Sequence, residues 1–375
     1  MMRLTISLFL LIVGLAPTVG TQERVAIGFG VDTLRSPNRE IFQVWRAYLS
    51  SRPDSLQPST YWSSTEQGQW PDFDLLRSYV YQGFTHFTVV QLAPAPGLDG
   101  TYVIRTLVAG VFDSAIDVKP LALFRVYATR EEDRWVLRNA LPVLTRGWKR
   151  HTIGHVTFVY PPAHVLNVRR AKRSATFVDS LAAAFQLTTP SAIGYYFTED
   201  LTSTFQVMGL DFFPLGPDTA GGRSNTIDKL VFVGSSTDGE GYRHELAHIV
   251  LATVTGHRTA RLVSEGLATW TGGSAGLEFP ELLPRLKSYV QQHPDVTLKA
   301  IMTDPPVREG TLDVGYDGFA VLCEMLFEKG GAPAIRDLAQ AGTGPDEVLA
   351  AAARLLDVPL TGLDAAWQRR VLGSP

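Results

Sequence analysis

Hydrophobic positions change their spacing along the chain, and the changes divide it. Between Ser36 and Gln82 apolar residues recur every three or four places: Ile41, Val44, Trp45, Tyr48 and Leu49 share one face, and Phe73, Leu76, Val80 and Tyr81 another. That spacing predicts two helices separated by a Ser/Pro/Gln loop. Strand-like runs rich in Val, Ile, Tyr and Phe follow over 85–92, 101–112, 120–129 and 134–141, divided by Pro-Gly, Asp-Gly and Arg-Glu-Glu-Asp breaks. Helices followed by a meander predict a small α+β domain over 21–150 with a curved antiparallel sheet.

The pattern resets near His151. Short strands are expected over 155–160, 192–197 and 229–234, with a helix over 165–185 that carries Arg169-Arg170-Ala171-Lys172-Arg173. The basic run reads as the solvated face of an exposed helix. From Tyr242 onward the periodicity is helical, over 242–255, 261–271, 281–292, 316–329, 332–340, 345–355 and 362–372. Residues 151–375 therefore form a second domain, a short sheet followed by helices. Residues 1–20 stand apart: Arg3 precedes a largely apolar run from Leu4 to Leu15, and small residues lead to Gly20. They read as a cleaved secretory signal, which places the mature protein in the periplasm or outside the cell. A dozen apolar residues reach about 18 Å against roughly 30 Å of hydrocarbon, so no stable membrane span is expected after cleavage.

Composition narrows the classes. With 45% hydrophobic and 19% charged residues in 375, the chain is folded, and a formal net charge of -3 advertises no nucleic-acid partner. Cys323 is the single cysteine. Such a chain folds without an intrachain disulfide, and a cysteine on the apolar side of a helix packs as a small hydrophobe.

His244-Glu245-Leu246-Ala247-His248 carries the chemistry. Histidines four apart on a helix project from one face about one turn apart, so both reach one metal ion, here Zn2+. Glu245 sits beside them as general base: zinc brings the pKa of a bound water towards about 7, and the carboxylate takes its proton. Chance supplies this pattern in roughly 0.007 of chains with this composition. A catalytic zinc needs a third protein ligand. Glu265 lies in a second amphipathic helix, with sixteen residues between it and His248.

The whole stretch resembles the gluzincin zinc metallopeptidases, in particular the peptidase MA-like families, whose second motif looks like Ser264-Glu265-Gly266 followed by Ala268 and Trp270. The resemblance covers roughly 151–372 and implies a zincin-like domain, hydrolysis of peptide bonds in a peptide or protein substrate, and Glu265 as third ligand. It also implies that Tyr316, in Tyr316-Asp317-Gly318-Phe319, donates to the oxyanion; a core tyrosine at a helix start is the structural alternative. Thr269 stands where these families place an Asp that orients a ligand histidine. Gly310-Thr311-Leu312-Asp313 with Tyr316 is similar to the aspzincin motif, which would make Asp313 the third ligand instead. Metzincins need a histidine at the position of Val254. The expected peptide-binding edge is the strand at 229–234. A zincin-fold module that binds peptide or envelope without catalysis is the alternative function, against which an intact Glu245 speaks. For the N-terminal part, only element order is analogous to cystatin-like and nuclear-transport-factor-like folds. Gly28-Phe29-Gly30 and Gly221-Gly222 read as turns, His86, His151, His155 and His164 as structural, and His257 as a turn residue rather than a ligand.

Overall fold

The computed structural model describes residues 25–50, 60–67, 85–112, 117–213, 220–256, 259–304 and 310–373. Among these the fold is mixed α+β, with two sheets and twelve α-helices. The first sheet runs in the order β1 (Ala26–Ile27), β2 (Thr85–Pro94), β3 (Tyr102–Phe112), β4 (Asp117–Glu131) and β5 (Arg134–Arg138). β1 joins in parallel and the rest form the expected antiparallel meander. Bulges at Val89/Gln91 and Val108/Ala109 bend the long strands. Helix α1 (Asn38–Ser50) buries Ile41, Phe42, Trp45, Tyr48 and Leu49, and Trp45 Nε1 donates to Thr106 Oγ1 at 2.9 Å. The run at 134–141 breaks at Arg138 into the short helix α3 (Ala140–Leu144). The cause is Glu66 on α2 (Ser64–Gln67), whose carboxylate takes the backbone and side-chain N–H of buried Asn139 at 2.8 and 3.0 Å. The second helix expected over 72–81 lies outside the described residues.

The second sheet has the order β10 (Gly221–Asn225), β11 (Leu230–Gly234), β8 (Ile193–Thr198), β7 (Val156–Tyr160) and β6 (Lys149–Ile153). Helix α4 (Val168–Ala184) links β7 to β8, and α5 (Leu201–Val207) follows β8. The three central strands are parallel, with antiparallel β10 and β6 at the edges. This corrects the edge assignment. The run at 229–234 is the interior strand β11, buried along its whole length because Leu-Val-Phe-Val is apolar on both faces. The edge is β10, so Gly221-Gly222 are strand residues rather than a turn. The three-residue β9 (Leu210–Phe212) leaves this group and pairs with β4.

The remaining helices are α6 (His244–Leu251), α7 (Arg261–Gly272), α8 (Phe279–Gln292), α9 (Leu298–Thr303), α10 (Val314–Ala339), α11 (Pro345–Leu356) and α12 (Leu363–Leu372). One core runs from Phe158, Tyr195 and Val231 of the sheet to Leu246, Leu267, Phe319 and Trp367. α10 joins the helices expected at 316–329 and 332–340, with a kink at Gly331, φ 62°, just before Pro333. Cys323 is buried in this core and burial pushes its thiol up to about 12. Among the described residues no helix is long and apolar enough to cross a membrane.

Candidate metal centre

The turn before α6 is tied down from three sides. Tyr195 Oη donates to the carbonyls of Gly239 and Tyr242 at 2.7 and 3.2 Å, and Ser174 Oγ donates to the Glu240 carbonyl at 2.5 Å. The buried Glu240 carboxylate accepts from Asn167 N at 2.7 Å and meets His164 Nε2 at 2.9 Å. These bonds start α6 at His244, two residues later than the periodicity predicts. The C-terminal end of α7 then presses on that start: a Cβ on Gly272 would sit 2.8 Å from the Arg243 carbonyl. Farther back, a Cβ on Gly266 would meet Phe319 Cβ at 2.5 Å, so the glycine of Ser-Glu-Gly serves close packing of α7 on α10.

This packing brings His244, His248 and Glu265 together, with their ligand atoms all within 4.8 Å of one another. Glu265 Oε2 lies 3.2 Å from His244 Nε2 and 3.5 Å from His248 Nε2. Two donors each about 2.1 Å from a tetrahedral zinc stand about 3.4 Å apart, so the two measured separations bracket what the ion requires. The orientation fits as well. A carbonyl only accepts, so the 2.8 Å contact of His244 Nδ1 with Gly273 O fixes the proton on Nδ1 and turns the Nε2 lone pair towards Glu265. Ser264 Oγ lies 3.5 Å from His248 Nδ1.

Electrostatics agree. Burial pulls the His244 pKa down, but the bond to Glu265 and the charges of Glu245 and Glu265 overcome it and raise the net value. Burial pushes Glu265 up, yet the two imidazoles hold it well below the usual carboxylate range. A carboxylate that charged in a half-buried site favours a cation among the imidazoles, in competition with the proton.

Glu245 stands outside the donor cluster, 7% exposed, with Gly222 of the edge strand against it: a Cβ there would lie 2.6 Å from Glu245 Cγ. Both line a cleft of about 1480 Å³ that also holds the donor cluster, Tyr316 and Asp313. The Tyr316 ring lies parallel to the His244 ring, centroids 6.2 Å apart at 8°. Its hydroxyl accepts from Arg261 Nη2 at 3.0 Å, and burial, then the Glu265 charge, push its pKa up to about 12. Asp313 does not join the donor cluster; its Oδ1 caps α10 by accepting from Tyr316 N at 3.0 Å. His257 lies outside the described residues.

Sequence reading missed four participants. Gly273 acts through a backbone carbonyl and Gly222 through the absence of a side chain, so neither carries a residue-type signal. Ser264 was visible only as part of the Ser-Glu-Gly pattern, and Arg261 as one of many exposed arginines.

No protein-family model matches the chain, and no curated protein matches it. Solved structures do. The M1 zinc metallopeptidase from Deinococcus radiodurans shares 13% identity at a TM-score of 0.30, over 77% of this chain and 63% of that one. A mutant of the same enzyme bound to a Tyr-Ser-Ala substrate shares 13% at 0.30, over 78% and 64%. The chain thus spans less than two thirds of the length of these neighbours, and a likeness this slight identifies no family.

Proposed function

We propose that the chain is an exported zinc-dependent metallopeptidase. The observation that carries this is the spacing of His244, His248 and Glu265 at what a tetrahedral ion needs, with the carboxylate of Glu245 left over beside them in a cleft. His244 Nε2, His248 Nε2 and Glu265 Oε2 would hold the zinc. When bound, zinc supplies a Lewis acid that acidifies water and polarises a carbonyl. The residues do the rest. A peptide adding to the outer edge of β10 runs past Gly222, whose missing side chain leaves room for Glu245 to lie against the strand. Glu245 takes the proton of the attacking water and returns it to the leaving amine. The Tyr316 hydroxyl, protonated and already accepting from Arg261, keeps its own hydrogen free for the developing oxyanion.

Zinc analysis with a broad peptide-library digest tests the reading. Substitution of His244, His248 or Glu265 by Ala should remove the metal, and Glu245→Gln should keep metal and fold while losing nearly all hydrolysis. Unchanged cleavage by Glu245→Gln would sink the mechanism. Export predicts a mature chain beginning near residue 21, read by N-terminal mass spectrometry of the secreted or periplasmic fraction.

A further inference from the structure

The cleft does not end at the metal centre. Asp238, Tyr242 and Ser274 line it and also line an adjoining hollow of about 180 Å³, shared with Arg173 and Arg243. The same two arginines border a groove of about 850 Å³ along α4, lined by Val168, Arg169, Lys172, Thr176, Phe177 and Ser180. Cleft, hollow and groove therefore adjoin one another in turn from His244 to α4.

The charge along that groove is one-sided. Arg169, Lys172 and Arg173, at spacings of three and four on one helix face, are all exposed, and no carboxylate lines the groove. Among the described residues none of the three makes an ion pair or side-chain hydrogen bond. Arg243 differs: it is bonded to Glu278, and its guanidinium lies 5.4 Å from the Phe177 ring centroid. Like charges one turn apart repel by a few tenths of a kcal/mol per pair. A solvated face gains nothing from gathering them beside an aromatic ring. A bound anion turns the repulsion into attraction.

We infer that this groove holds an acidic stretch of the polypeptide substrate, beyond the cleaved bond; the inference rests on the peptidase reading. Continuity with the cleft favours a peptide over a membrane, because a flat bilayer cannot follow the path to the donor cluster. Because a hollow separates the groove from the cleft, the acidic side chains fall several extended residues from the scissile bond.

The test uses zinc-loaded full-length protein and the triple variant Arg169→Gln, Lys172→Gln, Arg173→Gln. Fluorescent hexaglutamate should bind wild type, hexalysine should not, and the triple variant should bind hexaglutamate roughly five- to tenfold more weakly at low salt. In the library digest, wild-type cleavage sites should be enriched in Asp and Glu at that distance. The triple variant should lose the enrichment while cleaving acid-free sites as fast as wild type. Hexaglutamate binding unaltered by the triple substitution overturns the inference. So does substitution-sensitive binding to phosphatidylcholine–phosphatidylglycerol vesicles without hexaglutamate binding, which makes the groove a membrane contact. If wild type cleaves nothing in the library, the peptidase reading falls, and the hexaglutamate measurement still decides whether the groove takes acidic peptide.

Discussion

His244 and Gly273 are joined by one hydrogen bond, Nδ1 to carbonyl oxygen at 2.8 Å, across 29 positions of chain. Gly273 has φ 80° and ψ -177°, and a Cβ there would sit 2.2 Å from the Leu277 carbonyl oxygen. A residue with a side chain cannot keep that carbonyl aimed at the imidazole. Gly273→Ala should therefore weaken zinc binding about 10- to 100-fold, the usual cost of losing a partner that orients a ligand histidine. Chelator competition measures it. Gly256→Ala, where an added methyl meets nothing within 4 Å, is the control and should bind zinc as wild type does.

Gly222→Ala separates metal binding from catalysis. The new methyl overlaps Glu245 Cγ and Tyr242 Cε1, at 2.6 and 2.7 Å, and none of its three nearest atoms belongs to His244, His248 or Glu265. Zinc content should stay at one per chain while kcat falls by about 10²-fold or more, the scale of losing a general base. An Ala variant as active as wild type would show that the strand does not set the Glu245 position.

Tyr316 is tested by a pair of substitutions. An oxyanion donor removed in Tyr316→Phe should cost about 10²-fold in kcat, roughly 2.7 kcal/mol, with KM and melting temperature little changed. A tyrosine that only packs should be silent as Phe and lose about 3–5 kcal/mol of stability as Ala, through a cavity. Rates and melting curves of both variants distinguish the roles.

Asp313→Ala should leave the metal in place. Its Oδ1 bond to Tyr316 N caps α10, so the expected loss is about 1 kcal/mol of stability and a lower melting temperature. An empty metal site in this variant, with Glu265→Ala still loaded, would transfer the third-ligand role to Asp313.

Legibility in the sequence followed the physics of each part. His244, Glu245 and His248 are readable because spacing along one helix is fixed by covalent geometry. Glu265 was readable through its neighbours, since Gly266 and Ala268 are the small residues that let α7 pack closely. The edge strand was not readable. Gly-Gly-Arg-Ser-Asn has neither alternation nor β-branched residues, while the apolar run beside it drew the assignment to β11. The partner that orients His244 was not readable, because Thr269 stands where the resembling families place an Asp; the structure supplies a main-chain oxygen, Gly273 O, one turn later.

The pairing of β9 with β4 has a mechanical consequence. Asp211 on β9 is salt-bridged to both Arg105 and Arg125 of the first sheet, and two residues on Phe213 stacks on Phe205 at 4.9 Å in the wall of the cleft. A segment that follows the second sheet's β8 in the chain is thus clamped to the first sheet, and it carries an aromatic wall of the cleft with it. Cutting the chain near residue 150 would strip Asp211 of both counter-ions and leave β9 as an open edge. The first sheet thus anchors, through β9, a side chain that stands in the wall of the cleft.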